Sequence, residues 1–185
     1  MGASYKNIHQ DLIDRCCQGD REAQFSIYKL YYKSMYNTGL RIVGDTADAE
    51  DIMQEAFLNA FSKIGTYEGK VSFGAWLKKI VINRSLDCLK KRKVKFEEID
   101  ERLAEEREDP NEELPETDVE KIRKAIMKLP EGYRVVFSLY YLEGYDHDEI
   151  AEILKISGGS SRSQLLRAKK KLKTLLTGGP VFSMN

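Results

Sequence analysis

The sequence predicts an all-α fold built as two small helical domains joined by an acidic linker. Three observations carry that expectation. Apolar residues recur at spacings of three and four, and the alternation of a half-buried strand is absent. Gly and Pro punctuate the chain at intervals suited to helix ends. Charge is segregated. Over 1–92 there are 14 basic and 11 acidic residues, net +3. Over 93–120 there are 4 basic and 13 acidic, net −9. Over 121–185 there are 12 basic and 6 acidic, net +6. The formal net charge of zero for all 185 residues therefore conceals two basic blocks around an acidic strap. Basic blocks point to a polyanionic partner.

The first domain, 1–92, is expected to hold four helices: Ile8–Cys17, Arg21–Val43, Ala47–Lys63 and Phe73–Arg92. Asp20, Asp45 and Ser72 stand where N-cap side chains belong, and Gly19, Gly44 and Gly65 where helices end. On the third helix Ala49, Ile52, Met53, Ala56, Phe57, Ala60 and Phe61 share one half of the wheel. Asp51, Gln54, Glu55 and Leu58 form a stripe on the other half, spaced three and four apart. A polar stripe is ordinarily a solvated face. Leu58 in its middle is the anomaly, because an apolar side chain among polar neighbours suits an interface anchor. The fourth helix is apolar round most of its circumference and must be packed between other elements. Trp76 is read there as core rather than as a stacking platform. The loop before it, from Tyr67 to Phe73, sets two aromatics beside basic residues, the pairing that single-stranded nucleic acid requires.

The segment 93–118 is acidic, carries two prolines and has few apolar residues. It cannot bury enough surface to offset its ordering entropy, so a flexible linker is expected. The second domain, 119–185, is expected to contain helices Val119–Lys128, Glu131–Leu142, Asp148–Leu154 and Ser160–Leu176, with Gly144 ending the second of them. Asp146 and Glu149 have capping-box spacing. They open a short helix, a turn at Lys155-Ile156-Ser157 follows, and then a longer helix: helix-turn-helix spacing, with small Ala151 where two helices approach. On the last helix Leu165, Ala168, Leu172, Leu175 and Leu176 fall within one arc of about 100°. Arg162, Ser163, Leu166, Arg167 and Lys170 lie on the outward arc. Arg162, Ser163 and Leu166 are placed to reach base edges, and Arg167 and Lys170 to hold phosphates.

Other classes find little support. No apolar run approaches the roughly eighteen residues of a membrane span, and the first residues lack the apolar stretch of a signal peptide. A soluble, reducing, cytoplasmic location is expected. Cys16, Cys17 and Cys88 are too few and too oddly spaced for a disulfide framework or a zinc knuckle. His9 and His147 are far apart, and the carboxylates lie in runs rather than convergent pairs. No catalytic residue, metal site or cofactor is expected.

Two motif sets resemble a known family. Asp48-Ala-Glu-Asp-Ile-Met-Gln-Glu-Ala-Phe57, followed by Phe73-Gly-Ala-Trp-Leu-Lys-Lys-Ile80 with Asn83 and Asp87, resembles region 2 of bacterial sigma factors. Leu129-Pro-Glu131, Tyr141-Leu-Glu-Gly144, Glu149-Ile-Ala-Glu-Ile-Leu154 and Ser161-Arg-Ser-Gln-Leu-Leu-Arg-Ala-Lys169 resemble region 4. Both regions without an intervening domain look like the extracytoplasmic-function (ECF) class. The resemblance implies a transcription initiation factor whose partners are core RNA polymerase (β′ clamp helices and β flap), promoter DNA and an anti-sigma protein. It implies that Asp51, Gln54, Glu55 and Leu58 face polymerase. Tyr67 and Asn83, with Lys63 and Lys79 beside them, would melt the minus-10 element and capture a flipped base, an event costing a few kcal/mol. Arg162, Ser163, Leu166, Arg167 and Lys170 would read minus-35. Two departures stand out: Lys155 occupies a turn position usually held by Gly, and Gly158-Gly159 opens the recognition helix. The competing reading is a two-domain DNA-binding regulator that never touches polymerase. It gives no role to the stripe around Leu58.

Overall fold

The computed structural model describes residues 7–92 and 118–178, and among these every regular element is helical. They cluster into two compact units, α1–α4 and α5–α8. The acidic linker expected at 93–118 lies, except for Asp118, outside the described residues.

In the first unit α1 (Gln10–Cys17), α2 (Arg21–Val43), α3 (Thr46–Ser62) and α4 (Phe73–Lys91) form the bundle, with a 3₁₀ turn at Ile64–Thr66. The expected N-caps hold. Asp20 accepts from the Glu22 and Ala23 N–H groups, Asp45 from Asp48 and Ser72 from Ala75. Gly44 ends α2 at φ 72°, in the left-handed region where a Cβ is costly. α2 packs on α1, α3 and α4, so α3 and α4 lie together against the longest helix. Ile27, Ile42, Ala49, Ala56, Phe73, Leu77, Val81 and Leu89 make a core closed to solvent. Two expectations need correction. α1 starts at Gln10 and leaves Ile8 91% exposed. Gly65 sits inside the 3₁₀ turn rather than ending α3.

The second unit contains α5 (Val119–Met127), α6 (Glu131–Phe137), α7 (His147–Leu154) and α8 (Gly158–Thr177). α6 runs into a π-helical segment, Ser138–Leu142, rather than continuing as α-helix to its end. There Glu143 N–H reaches back to the Ser138 carbonyl. The capping box at α7 is complete: Asp146 accepts from Glu149 N–H at 2.8 Å, and the Glu149 carboxylate accepts from Asp146 N–H at 2.9 Å. α8 packs on α5, α6 and α7. Leu165, Ala168 and Leu172 are buried as the wheel requires, whereas Leu175 and Leu176 are only half-buried. α8 starts at Gly158, two residues earlier than expected. Ser157 caps it through the Ser160 N–H at 3.0 Å, and a Cβ on Gly158 would meet the Asp148 carboxylate at 3.4 Å. Both glycines lie in the first turn of α8, at a cost in helix propensity.

Candidate protein and nucleic-acid interfaces

On α3 the inward half of the helix is buried and the stripe faces out. Asp51, Gln54 and Glu55 are exposed, and Leu58 is 71% exposed in their midst. Leu58 is an apolar side chain that the core does not use, set among hydrogen-bonding groups in an apolar-centre, polar-rim arrangement. Arg84 of α4 reaches Glu55 at 2.9 Å, with both side chains about half exposed. Arg92 pairs with Asp48 and donates to the Val43 carbonyl at 3.1 Å. A groove of about 410 Å³ runs between α3 and α4, bordered by Asp51, Glu55, Arg84 and Lys91. Pairs 29 or more residues apart in sequence, such as Glu55–Arg84, leave no local signal, and sequence reasoning missed them.

The loop between α3 and α4 is organised round Tyr67. Its ring packs edge-on against Phe73 and tilted against Trp76, with centroids 5.6 and 5.4 Å apart. Its hydroxyl donates to the Val71 carbonyl and accepts from the Asn7 amide. Trp76 is half-buried in this aromatic group, so it contributes to the surface as well as the core. Glu68 and Lys70 form an ion pair at the loop tip, and their hydrogen bond holds Glu68 below and Lys70 above their ordinary pKa values. Lys63 ends α3, and Lys79 and Asn83 lie one turn apart on α4; all three are exposed. The structure thus gathers an exposed amide, lysines and an aromatic cluster on the first unit. Asn7 was missed. An Asn just before a helix reads as a cap, and nothing local shows that two of its partners lie 60 and 66 residues away.

On α8 Arg162 and Lys170 are exposed, and Leu166 and Arg167 are half-buried. Ser163 is corrected: at 5% exposure it does not stand on the outward face. Gln164 beside it is 2% exposed. The first two turns of α8 are enclosed on nearly all sides, so a wheel assigning one core arc fails there, and the open basic face narrows to Arg162 before widening at Lys170. The left-handed turn at Lys155 (φ 57°, ψ 47°) sets the angle at which α8 leaves α7. Among the described residues no group of three or more His, Cys, Asp or Glu side chains is arranged to hold a metal ion, and no helix is long and apolar enough to cross a membrane.

The sigma-70 region 2 family profile matches residues 27–94, and the sigma-70 region 4 profile matches 119–172. The ECF RNA polymerase sigma factor SigW of Bacillus subtilis is 30% identical over 176 residues, covering 89% of this chain and 94% of that protein. The chain belongs to the ECF class of the sigma-70 family. It is therefore a promoter-directing transcription initiation factor, and the family removes the competing reading of a two-domain DNA-binding regulator that never touches polymerase. The RNA polymerase sigma-H factor of Pseudomonas aeruginosa is 28% identical over 180 residues, covering 90% of this chain and 93% of that protein. Two solved structures share the fold. CnrH in complex with the cytosolic domain of CnrY aligns at TM-score 0.52 and 21% identity, over 91% of this chain and 97% of that one. The sigma factor RpoE in complex with the anti-sigma factor NepR from Bartonella quintana aligns at 0.51 and 20%, over 81% and 94%.

Proposed function

We propose a division of labour among these surfaces. The α3 stripe docks on the β′ clamp helices of core polymerase: Leu58 is the apolar anchor, and Asp51, Gln54 and Glu55 supply the polar ring around it. Arg84, paired with Glu55, fixes that carboxylate against the α4 side of the groove. Lys63, Lys79, Asn83 and the loop of Tyr67 receive the melted minus-10 strand. The lysines neutralise phosphates, and Asn83 offers donor and acceptor to a base edge. Arg162, Leu166, Arg167 and Lys170 of α8 enter the major groove at minus-35, Arg162 being the side chain free to reach a guanine. The domain boundaries at 92 and 118 place the acidic strap between the two DNA-reading units, and region 4 meets the β flap. The whole assembly works in the cytoplasm, where polymerase and promoter are. The observation that carries the reading is Leu58, exposed among Asp51, Gln54 and Glu55 on a helix whose other face is buried.

An anti-sigma protein that covers the same surfaces would hold the factor inactive. The complex of RpoE with NepR supports this as a mode open to the fold. A pull-down from the native host on the immobilised chain, repeated with Leu58→Glu, tests it. A protein retained by the wild type and lost from the variant is expected; the absence of any such protein counts against the idea.

Association with bacterial core polymerase tests the main reading. A Gln54→Ala, Glu55→Arg double variant, folded by circular dichroism, is expected to bind about thirtyfold more weakly or worse, the scale of an interface hot spot of ~2 kcal/mol. Equal affinity of variant and wild type would remove polymerase docking from the stripe.

A further inference from the structure

Asn7 precedes the first helix by three residues, yet it is only 8% exposed. A buried amide must place both donors and its acceptor, and this one does. Its nitrogen donates to the Tyr67 hydroxyl at 2.9 Å and to the Gln10 side-chain oxygen Oε1 at 3.0 Å. Its oxygen accepts from the buried Phe73 N–H at 2.8 Å. Phe73 is the first residue of α4, and a helix leaves its first N–H groups without internal partners. Ser72 takes the Ala75 N–H from inside the helix start. Asn7 takes the Phe73 N–H from another part of the chain.

Both ends of the Tyr67–Phe73 loop are thus held by one side chain. The loop begins at Tyr67, whose hydroxyl accepts from Asn7 and donates across the loop to Val71. It ends at Phe73, whose backbone is fixed by the same amide. Tyr67, Phe73 and Trp76 pack against one another in edge-on and tilted contacts. α1 also packs on the 3₁₀ turn Ile64–Thr66 that leads into the loop. Between the two anchors the loop exposes Glu68, Lys70 and Val71.

We propose that Asn7 is a positioning residue for minus-10 recognition, clamping the Tyr67–Phe73 loop in the shape that receives the single strand. This rests on the reading that the loop is the single-strand site. Asn7 touches no base. It acts by sparing the loop the ordering that binding would otherwise impose, so its loss lowers affinity for the strand without altering the polymerase-facing stripe.

The experiment uses the full chain reconstituted with bacterial core polymerase. A pool of single-stranded DNA with a randomised centre is enriched on the wild-type holoenzyme, and the winning sequence, fluorescently labelled, is the probe. Asn7→Ala is expected to weaken probe binding about tenfold, the scale for one buried hydrogen-bonding group, with core affinity unchanged. Asn7→Asp keeps the acceptor for Phe73 and is expected to recover part of the loss. Tyr67→Phe removes the shared hydroxyl. Combining it with Asn7→Ala is expected to cost no more than the larger single change, because both act through one clamp. Unchanged probe affinity in Asn7→Ala, with Tyr67→Ala weakened, overturns the clamp and leaves the loop as the site. Loss of core binding in step with probe binding also overturns it, since Asn7 would then serve only stability. Failure of the wild type to enrich any sequence, or indifference to Tyr67→Ala, sinks the single-strand reading itself and the clamp with it.

Discussion

Cys16 and Cys17 are adjacent in sequence and opposite in environment. Cys16 is 2% exposed, and burial, then the neighbouring Cys17, pushes its thiol up to about 11, whereas Cys17 is exposed. Iodoacetamide at pH 8 is therefore expected to alkylate Cys17 and spare Cys16 until the chain unfolds, read by mass spectrometry of the modified peptides. Equal labelling in folded protein would contradict the packing of α1. The folded state holds the Cys16 proton more tightly than the unfolded chain. Its contribution to stability is thus complete below the ordinary thiol value of 9.0 and declines as pH rises toward about 11. Asp20 behaves in the opposite sense. The Ala23 N–H first, then Arg15, hold its carboxyl below the ordinary 3.8. That contribution is present above 3.8 and is lost as pH falls through the lower, folded-state value. Urea midpoints of the wild type and Asp20→Asn are expected to converge as pH falls below about 4 and to stay apart at neutral pH. A constant difference across that range would show that the carboxylate charge plays no part.

Lys155 closes α7 in the left-handed conformation at φ 57°, the one non-glycine described residue with positive φ. An L side chain there costs roughly 1–2 kcal/mol. Lys155→Gly relieves it, less a Gly entropy penalty of about 0.5–1 kcal/mol in the unfolded chain. A net gain of up to about 1.5 kcal/mol is expected, raising the thermal midpoint of the α5–α8 unit by several degrees. A fall in that midpoint would show that the lysine side chain makes a stabilising contact larger than the strain. This turn was legible in the sequence because a family departure and a steric rule met at one residue. So were the caps and the complete box at Asp146–Glu149, whose chemistry is local. The misses have the opposite character. The π segment after α6 keeps the same apolar spacing as an α-helix over so few residues that periodicity cannot separate them. The early start of α8 at Gly158 goes against helix propensity, so the pattern alone places it later. The burial of Ser163 likewise depends on how the first turns of α8 are enclosed, not on their own pattern. Asn7 lies further out of reach, since its role exists only when residue 73 is beside it.

Each unit closes its own core, and this shapes how the whole molecule handles charge. In α5–α8 the side chains of Ile126, Leu129, Val135, Val136, Leu139, Ile150, Leu165 and Leu172 are all 5% exposed or less. A span of this length can fold alone, though with a thin margin. The fragment 118–178 is thus expected to show helical circular dichroism and a cooperative thermal transition. In the intact chain the net −9 of 93–120 is tethered directly to the net +6 of 121–185. An acidic segment joined in sequence to a basic helix is expected to compete with free DNA for that helix, at an effective concentration on the order of millimolar. The fragment, freed of most of that segment, is expected to bind a random duplex more tightly than the intact chain at low salt. The advantage should shrink as the Debye length falls toward about 8 Å at 0.15 M, because both the competition and the binding are electrostatic. Fluorescence anisotropy of a labelled 20-base-pair probe across a salt series reads both quantities. Equal affinities at low salt would mean that the acidic segment does not compete for the α8 surface. A difference that persists undiminished at high salt would mean that it competes through packing rather than charge.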